Sequence, residues 1–132
     1  LSSPLYNSHK NQATHNEQFV NSLSPPKTQY PDWVATGAFY VALHYVNASA
    51  AKLGIDWQNF PDWLPPDQRR KMSKHYKRVL YIRKYFRGLF VDYNRLLTES
   101  LNARYDPFYR LKVNPTTPDT LFQIARQFNT IV

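Results

Sequence analysis

The sequence predicts an all-α fold, an up-and-down bundle of four to five helices. Three observations carry this. At 132 residues the chain is one domain's worth of sequence, with no room for a second independent core. Apolar residues recur at the three-and-four helical spacing in several stretches, and no alternating strand pattern of useful length occurs. Proline, glycine or capping residues bound each stretch. With 42% hydrophobic and 20% charged residues, the composition also excludes wholesale disorder.

In chain order, residues 1–12 are polar and read as a flexible N-terminal arm, leaving 13–132 as a single helical domain. The first helix is signalled at Thr14, because Thr14-x-x-Glu17 has capping-box spacing. Ala13, Phe19, Val20 and Leu23 give it an apolar face, and Pro25-Pro26 ends it. A second helix should start near Asp32, behind Pro31, and stop at Gly54. It is apolar nearly all round, the pattern of a central helix. Val34 to Ala51 carries no formal charge over eighteen residues, yet Thr36, Tyr40, His44 and Asn47 would make a lipid environment costly, so a core helix is expected rather than a membrane span.

Between Gly54 and Asp67, Trp57, Phe60 and Trp63 alternate with Pro61, Pro65 and Pro66, a loop pinned by aromatics. A long third helix is expected from Asp67 or Gln68 to about Asn102. Met72, Val79, Phe86, Tyr93 and Ser100 form one seven-residue row, and His75, Ile82, Leu89 and Leu96 another. Gly88 should weaken this helix by about 1 kcal/mol without breaking it. The chain turns after Ala103 to Pro107, and Asn114-Pro115 marks a further loop. Thr117-Pro118-Asp119 starts a last helix whose apolar face is Leu121, Phe122, Ile124, Ala125 and Phe128.

Two features bear on partners. Seventeen Lys and Arg against nine Asp and Glu give a net charge of +8, and aromatics reach 16%. A small domain this basic attracts polyanions. Ten of the cations fall between Arg69 and Arg95 against a single acid, Asp92. Arg69, Lys71, Lys74, Lys77, Lys84 and Arg87 in that stretch are candidates for nucleic-acid contact, by a mechanism that would be salt-dependent. The alternative is a solvated helix face.

His75 falls on the apolar seam of the third helix, with Arg78 one turn on and Arg69 and Arg70 before it. A histidine beside an arginine suits proton transfer at a phosphate, and a hydrogen-bonded structural histidine is the competing reading. Tyr40, His44 and Asn47 share a strip of the second helix, implying a hydrogen-bond network or the wall of a site. His15 and Asn16 are the expected partners of that strip.

Other chemistries fit poorly. No cysteine is present, which removes disulfides, thiolate metal sites and thiol nucleophiles. Carboxylates are few and scattered, no zinc-binding histidine spacing occurs, and three glycines cannot build a phosphate-cradling loop. A long seamed helix is not a short recognition helix. No cofactor and no metal are expected. With no signal peptide visible and a reducing compartment permitted, a cytoplasmic location without membrane association is expected. Because the chain begins at Leu1 rather than Met, it is expected to be a piece of something longer.

An ordered series of motifs carries a family resemblance. His15-Asn16-Glu17-Gln18-Phe19 precedes Tyr30-Pro31-Asp32-Trp33 and Ala42-Leu43-His44-Tyr45-Val46-Asn47-Ala48. Ser73-Lys74-His75-Tyr76-Lys77-Arg78 and Ser100-Leu101-Asn102-Ala103-Arg104-Tyr105 follow. The set, covering roughly Asn11 to Asp106, resembles a prokaryotic branch of the HEPN domains, helical modules often found in toxin–antitoxin and antiviral defence systems. The resemblance implies a four- to five-helix bundle that usually forms a homodimer, with RNA bound in the cleft between protomers.

Catalytic members of that family are metal-independent endoribonucleases carrying an arginine four to six residues before a histidine. On this chain that motif maps to Arg70 or Arg69 with His75, and the branch itself is marked by Ser73-x-His75-x-x-Arg78. The resemblance thus implies His75 as acid/base, Arg78 or Arg70 steadying the phosphate, and His44, Tyr40 and Asn16 behind them. Other members are non-catalytic. The competing expectation is therefore a helical interaction or dimerisation module, with RNA or a cognate protein as partner.

Overall fold

The computed structural model describes residues 3–23 and 28–132. These form seven α-helices: α1 (Pro4–Ser22), α2 (Pro31–Lys52), α3 (Pro66–Arg70), α4 (Lys74–Tyr85), α5 (Phe90–Tyr105), α6 (Tyr109–Lys112) and α7 (Thr117–Arg126). Short 3-10 turns lie at Trp57–Asn59, Arg87–Leu89 and Gln127–Ile131. No strand occurs among the described residues, and the fold is an all-α bundle.

The core is built around α2, which packs against α1, α5 and α7. Fourteen of its 22 residues are buried, including Val34, Phe39, Val41 and Val46, because neighbours cover it on three sides. That explains its lack of a polar face. Its end is a Schellman cap: Gly54 takes φ 73°, its N–H donates to Ala51 O, and Ile55 N–H donates to Ala50 O at 2.9 Å. No helix among the described residues is long and apolar enough to cross a membrane. Against α1, the approach is close enough that a Cβ on Gly37 would lie 2.6 Å from Val20 Cγ2.

The expected arm is corrected by α1, which begins at Pro4 rather than Thr14. Ser3 Oγ accepts the Tyr6 N–H at 3.0 Å, and Pro4 occupies the first turn, where its missing N–H costs nothing. Thr14, expected as a cap, sits mid-helix with its hydroxyl donating to Lys10 O at 3.2 Å. Leu1, Ser2 and the Pro25-Pro26 stop lie outside the described residues.

The single long third helix is also corrected. Ser73 Oγ accepts the Tyr76 N–H at 3.1 Å and starts α4 afresh, separate from α3. After Tyr85 the chain leaves the helix at Phe86 (φ −139°, ψ 56°), passes through the 3-10 turn and resumes as α5. Tyr81, Ile82, Tyr93 and Leu96 all reach the core from the two sides of this break. A three-and-four row is satisfied equally by two helices packed on one core, so periodicity alone conceals the break.

The loop before α3 is held by aromatics as its composition implies. Trp57 and Phe60 meet the Tyr81 ring at 5.6 and 6.0 Å, and Ser49 Oγ and Tyr81 Oη hydrogen-bond at 2.8 Å. The last helix starts with Thr117, one residue ahead of Pro118, and buries Leu121, Phe122 and Ala125.

Candidate functional site

Three helices converge on a pocket of about 590 Å³. From α2, Tyr40, His44 and Asn47 line it at four- and three-residue steps, which keeps them on one face. From the first turn and a half of α4 come Lys74, His75 and Arg78, set by the Ser73 cap. From α1 comes His9, which is in place only because the helix begins at Pro4. Leu43, Ile55 and Trp57 supply apolar wall.

Arg78 is the fixed cation. Its Nε donates to Asn47 Oδ1 at 2.9 Å, which orients the guanidinium plane and uses one of its five N–H groups. Burial pushes its pKa below the usual arginine value, yet a guanidinium stays charged at every physiological pH. His9 and His44 face each other with their Nδ1 atoms 3.0 Å apart and their rings stacked at 5.3 Å. At that distance one Nδ1 carries a hydrogen and the other accepts it.

All three imidazoles are held in the neutral form at pH 7. Burial, then the neighbouring His9, then Arg78 push His44 down to about 4. His9 is lowered by burial and by Arg78 and Lys74, and His75 by burial and by Arg78 and Arg104. His75 is solvent-accessible, with its ring 5.8 Å from that of Phe39. The pocket therefore combines two permanent cations, Lys74 and Arg78, with three neutral bases. That set can bind a phosphate and accept a proton beside it. No group of three His, Cys, Asp or Glu among the described residues is placed to hold a metal ion.

The sequence-derived residues divide. His75, Arg78, His44, Tyr40 and Lys74 come together in the pocket. Arg70 does not: it is ion-paired with Asp67 on α3 and lines, with Arg69, a different depression beside Met72 and Gln58. The turn between α3 and the Ser73 cap carries both arginines away from the pocket, and residues five and six positions before His75 would not share its face on an unbroken helix either. Asn16 bonds Gln12 along α1, its Oδ1 accepting at 2.9 Å, and does not line the pocket.

The cationic stripe is likewise dispersed over α3, α4, the 3-10 turn and α5. Lys77 is buried, its Nζ donating to Trp57 O at 2.6 Å, so it is a structural residue rather than a nucleic-acid contact. Lys84 lies 4.2 Å above the Trp63 ring. Lys71 and Arg87 are exposed. Two contributors escaped sequence reasoning. His9 takes the place expected of His15 as partner of His44, and the overlooked signal was Ser3-Pro4, a cap followed by a first-turn proline. Arg104, whose Nη1 donates to Tyr40 Oη at 3.4 Å, arrives from α5 with no local signal.

Fold and pocket together define an all-helical domain with a cationic, imidazole-rich site. No protein-family model, no curated protein and no solved structure matches the chain.

Proposed function

We propose that this chain is an RNA-binding, HEPN-like helical domain that cleaves RNA without a metal ion, through a cyclising attack by the ribose 2′-hydroxyl. One observation carries the reading: Arg78, oriented by Asn47, shares a single pocket with three neutral imidazoles. In this scheme the guanidinium and Lys74 hold a backbone phosphate and stabilise the charge that builds on it. His75, accessible and unprotonated at neutral pH, takes the 2′-hydroxyl proton. The O2′–P bond forms, the P–O5′ bond breaks, and the departing 5′-oxygen takes a proton back from the His75 imidazolium. The products are a 2′,3′-cyclic phosphate and a 5′-hydroxyl. The family resemblance adds a homodimer and a toxin or defence setting to the proposal.

A second reading has its own support, since no hydrogen bond among the described residues orients the His75 ring. In that reading the pocket binds phosphates without cleaving, as a non-catalytic module. Mixed-sequence RNA incubated with the protein in EDTA, with His75→Ala in parallel, separates the two. The cleavage proposal expects cyclic-phosphate ends from the parent and roughly 10²–10⁴-fold less product from the variant. Binding without cleavage by either selects the non-catalytic reading. Affinity that does not fall with salt overturns both.

A further inference from the structure

Beyond the pocket rim, the Tyr40 ring borders an arginine–aromatic cluster that continues outward. The Arg104 guanidinium lies 5.8 Å from the Tyr40 ring centroid and 5.6 Å from that of Tyr105. Its Nε is tied back to Ser100 O at 3.2 Å and its Nη1 to Tyr40 Oη, so the cation is held in place beside two aromatic rings. It pairs with no carboxylate among the described residues. It is also near enough to His75 to lower that imidazole's pKa, which puts cluster and pocket in one neighbourhood. Tyr105, the outermost ring, is 76% exposed at the end of α5, and Phe108, 61% exposed, follows it.

An exposed aromatic ring beside an uncompensated arginine has a definite ligand chemistry. A planar, electron-rich base stacks on the ring, and the phosphate attached to that base pairs with the guanidinium. A base can reach such a platform only if it is unpaired, because in a duplex its faces are occupied by its neighbours. Tyr40 lines the pocket that Arg78 and Lys74 make positive, so a strand running from pocket to platform keeps its backbone on cations and turns its base to Tyr105.

We propose that Tyr40, Arg104 and Tyr105 form a base-stacking subsite continuous with the His75–Arg78 pocket, and that this subsite makes single-stranded RNA the ligand. The subsite rests on the RNA reading above and specifies it. Nothing in the platform reads base edges, so the preference is for strandedness rather than for sequence.

The test is fluorescence anisotropy with a labelled 2′-O-methyl decamer of mixed sequence, which cannot undergo 2′-hydroxyl attack, and with the same decamer annealed to its complement. The parent should bind the single strand more tightly than the duplex. Tyr105→Ala should lose about five- to hundredfold in single-strand affinity, the range one base–aromatic stack supplies. Tyr105→Phe, which keeps the ring, should bind like the parent. Neither change should alter duplex affinity or the salt dependence, since no cation is removed. Tyr105 is an exposed helix-end residue, so circular dichroism of Tyr105→Ala should match the parent. If Tyr105→Ala binds the single strand as the parent does, or weakens strand and duplex equally, the subsite is overturned while the RNA reading stands. If the parent binds neither form, the RNA reading fails and the subsite falls with it.

Discussion

The His9–His44 contact makes stability depend on pH in a way that can be calculated. At pH 7.5 His44 is neutral in both the folded and the unfolded chain. As pH falls, the unfolded chain takes up a proton near the ordinary histidine value of 6.5, whereas the folded chain resists until about 4. Across that window the unfolded state binds more protons, so stability falls as pH falls. A displacement from 6.5 to about 4 corresponds to about 3 kcal/mol over the whole window and about 2 kcal/mol by pH 5. The ring is only half-buried, and solvent screening reduces the value at pH 5 to about 1 kcal/mol. His9, lowered by burial and by Arg78 and Lys74, adds in the same direction. Urea unfolding followed by tryptophan fluorescence at pH 7.5 and 5.0 measures the effect. His44→Gln, which cannot titrate, is the reference because every other ionisable group is shared. The parent should lose about 1 kcal/mol more than the variant between the two pH values. Equal losses would refute the reasoning, since the folded chain would then admit the His44 proton as readily as the unfolded one.

Two further predictions concern packing and charge. Gly37→Ala places a methyl against Val20 Cγ2, at a cost of about 1–3 kcal/mol for overpacking against about 1 kcal/mol gained in helix propensity, so the melting temperature should fall. In a Val20→Ala background the same change should cost nothing further, which a double-mutant melting series reads directly. Lys77→Met should lower stability by about 1 kcal/mol through its lost bond to Trp57 O while leaving the salt dependence of RNA binding unchanged. Lys74→Ala, on the pocket wall, should reduce that salt dependence by about one phosphate contact.

Local chemistry made much of the bundle legible. The all-round apolar α2, its glycine stop, the aromatic loop and the proline-started last helix all follow from residues close together in sequence. The errors share one physical origin: a cap outweighing periodicity. Ser3 and Ser73 each start a helix by accepting an N–H three residues on, and both were hidden within stretches read for composition or for apolar rows. The first cap brings His9 into the pocket, and the second separates the helix of Arg70 from that of His75. Polar strips fared better, because Tyr40, His44 and Asn47 on an otherwise buried helix require partners whatever the topology. Which partners answered was fixed by tertiary packing, and neither Arg104 nor the inward turn of Lys77 has a signature within a few residues of itself.

The pocket's electrostatics are linked to the same packing. Burying imidazoles beside two permanent cations disfavours their protonation, so stability below neutral pH is reduced at this site while three unprotonated bases are held ready at pH 7. A structural histidine pair alone would not need Lys74 and Arg78 on the opposite wall, and a purely electrostatic anion site would not need imidazoles kept neutral. The combination becomes economical when an anion enters: its charge offsets the cations, the pKa of each histidine rises towards its ordinary value, and proton uptake accompanies binding. On the proposed reading, the bound phosphate thereby brings the His75 imidazole towards the midrange pKa that proton transfer favours. Asn47, which does not titrate, matters to this scheme because it keeps the Arg78 charge fixed while the protons move.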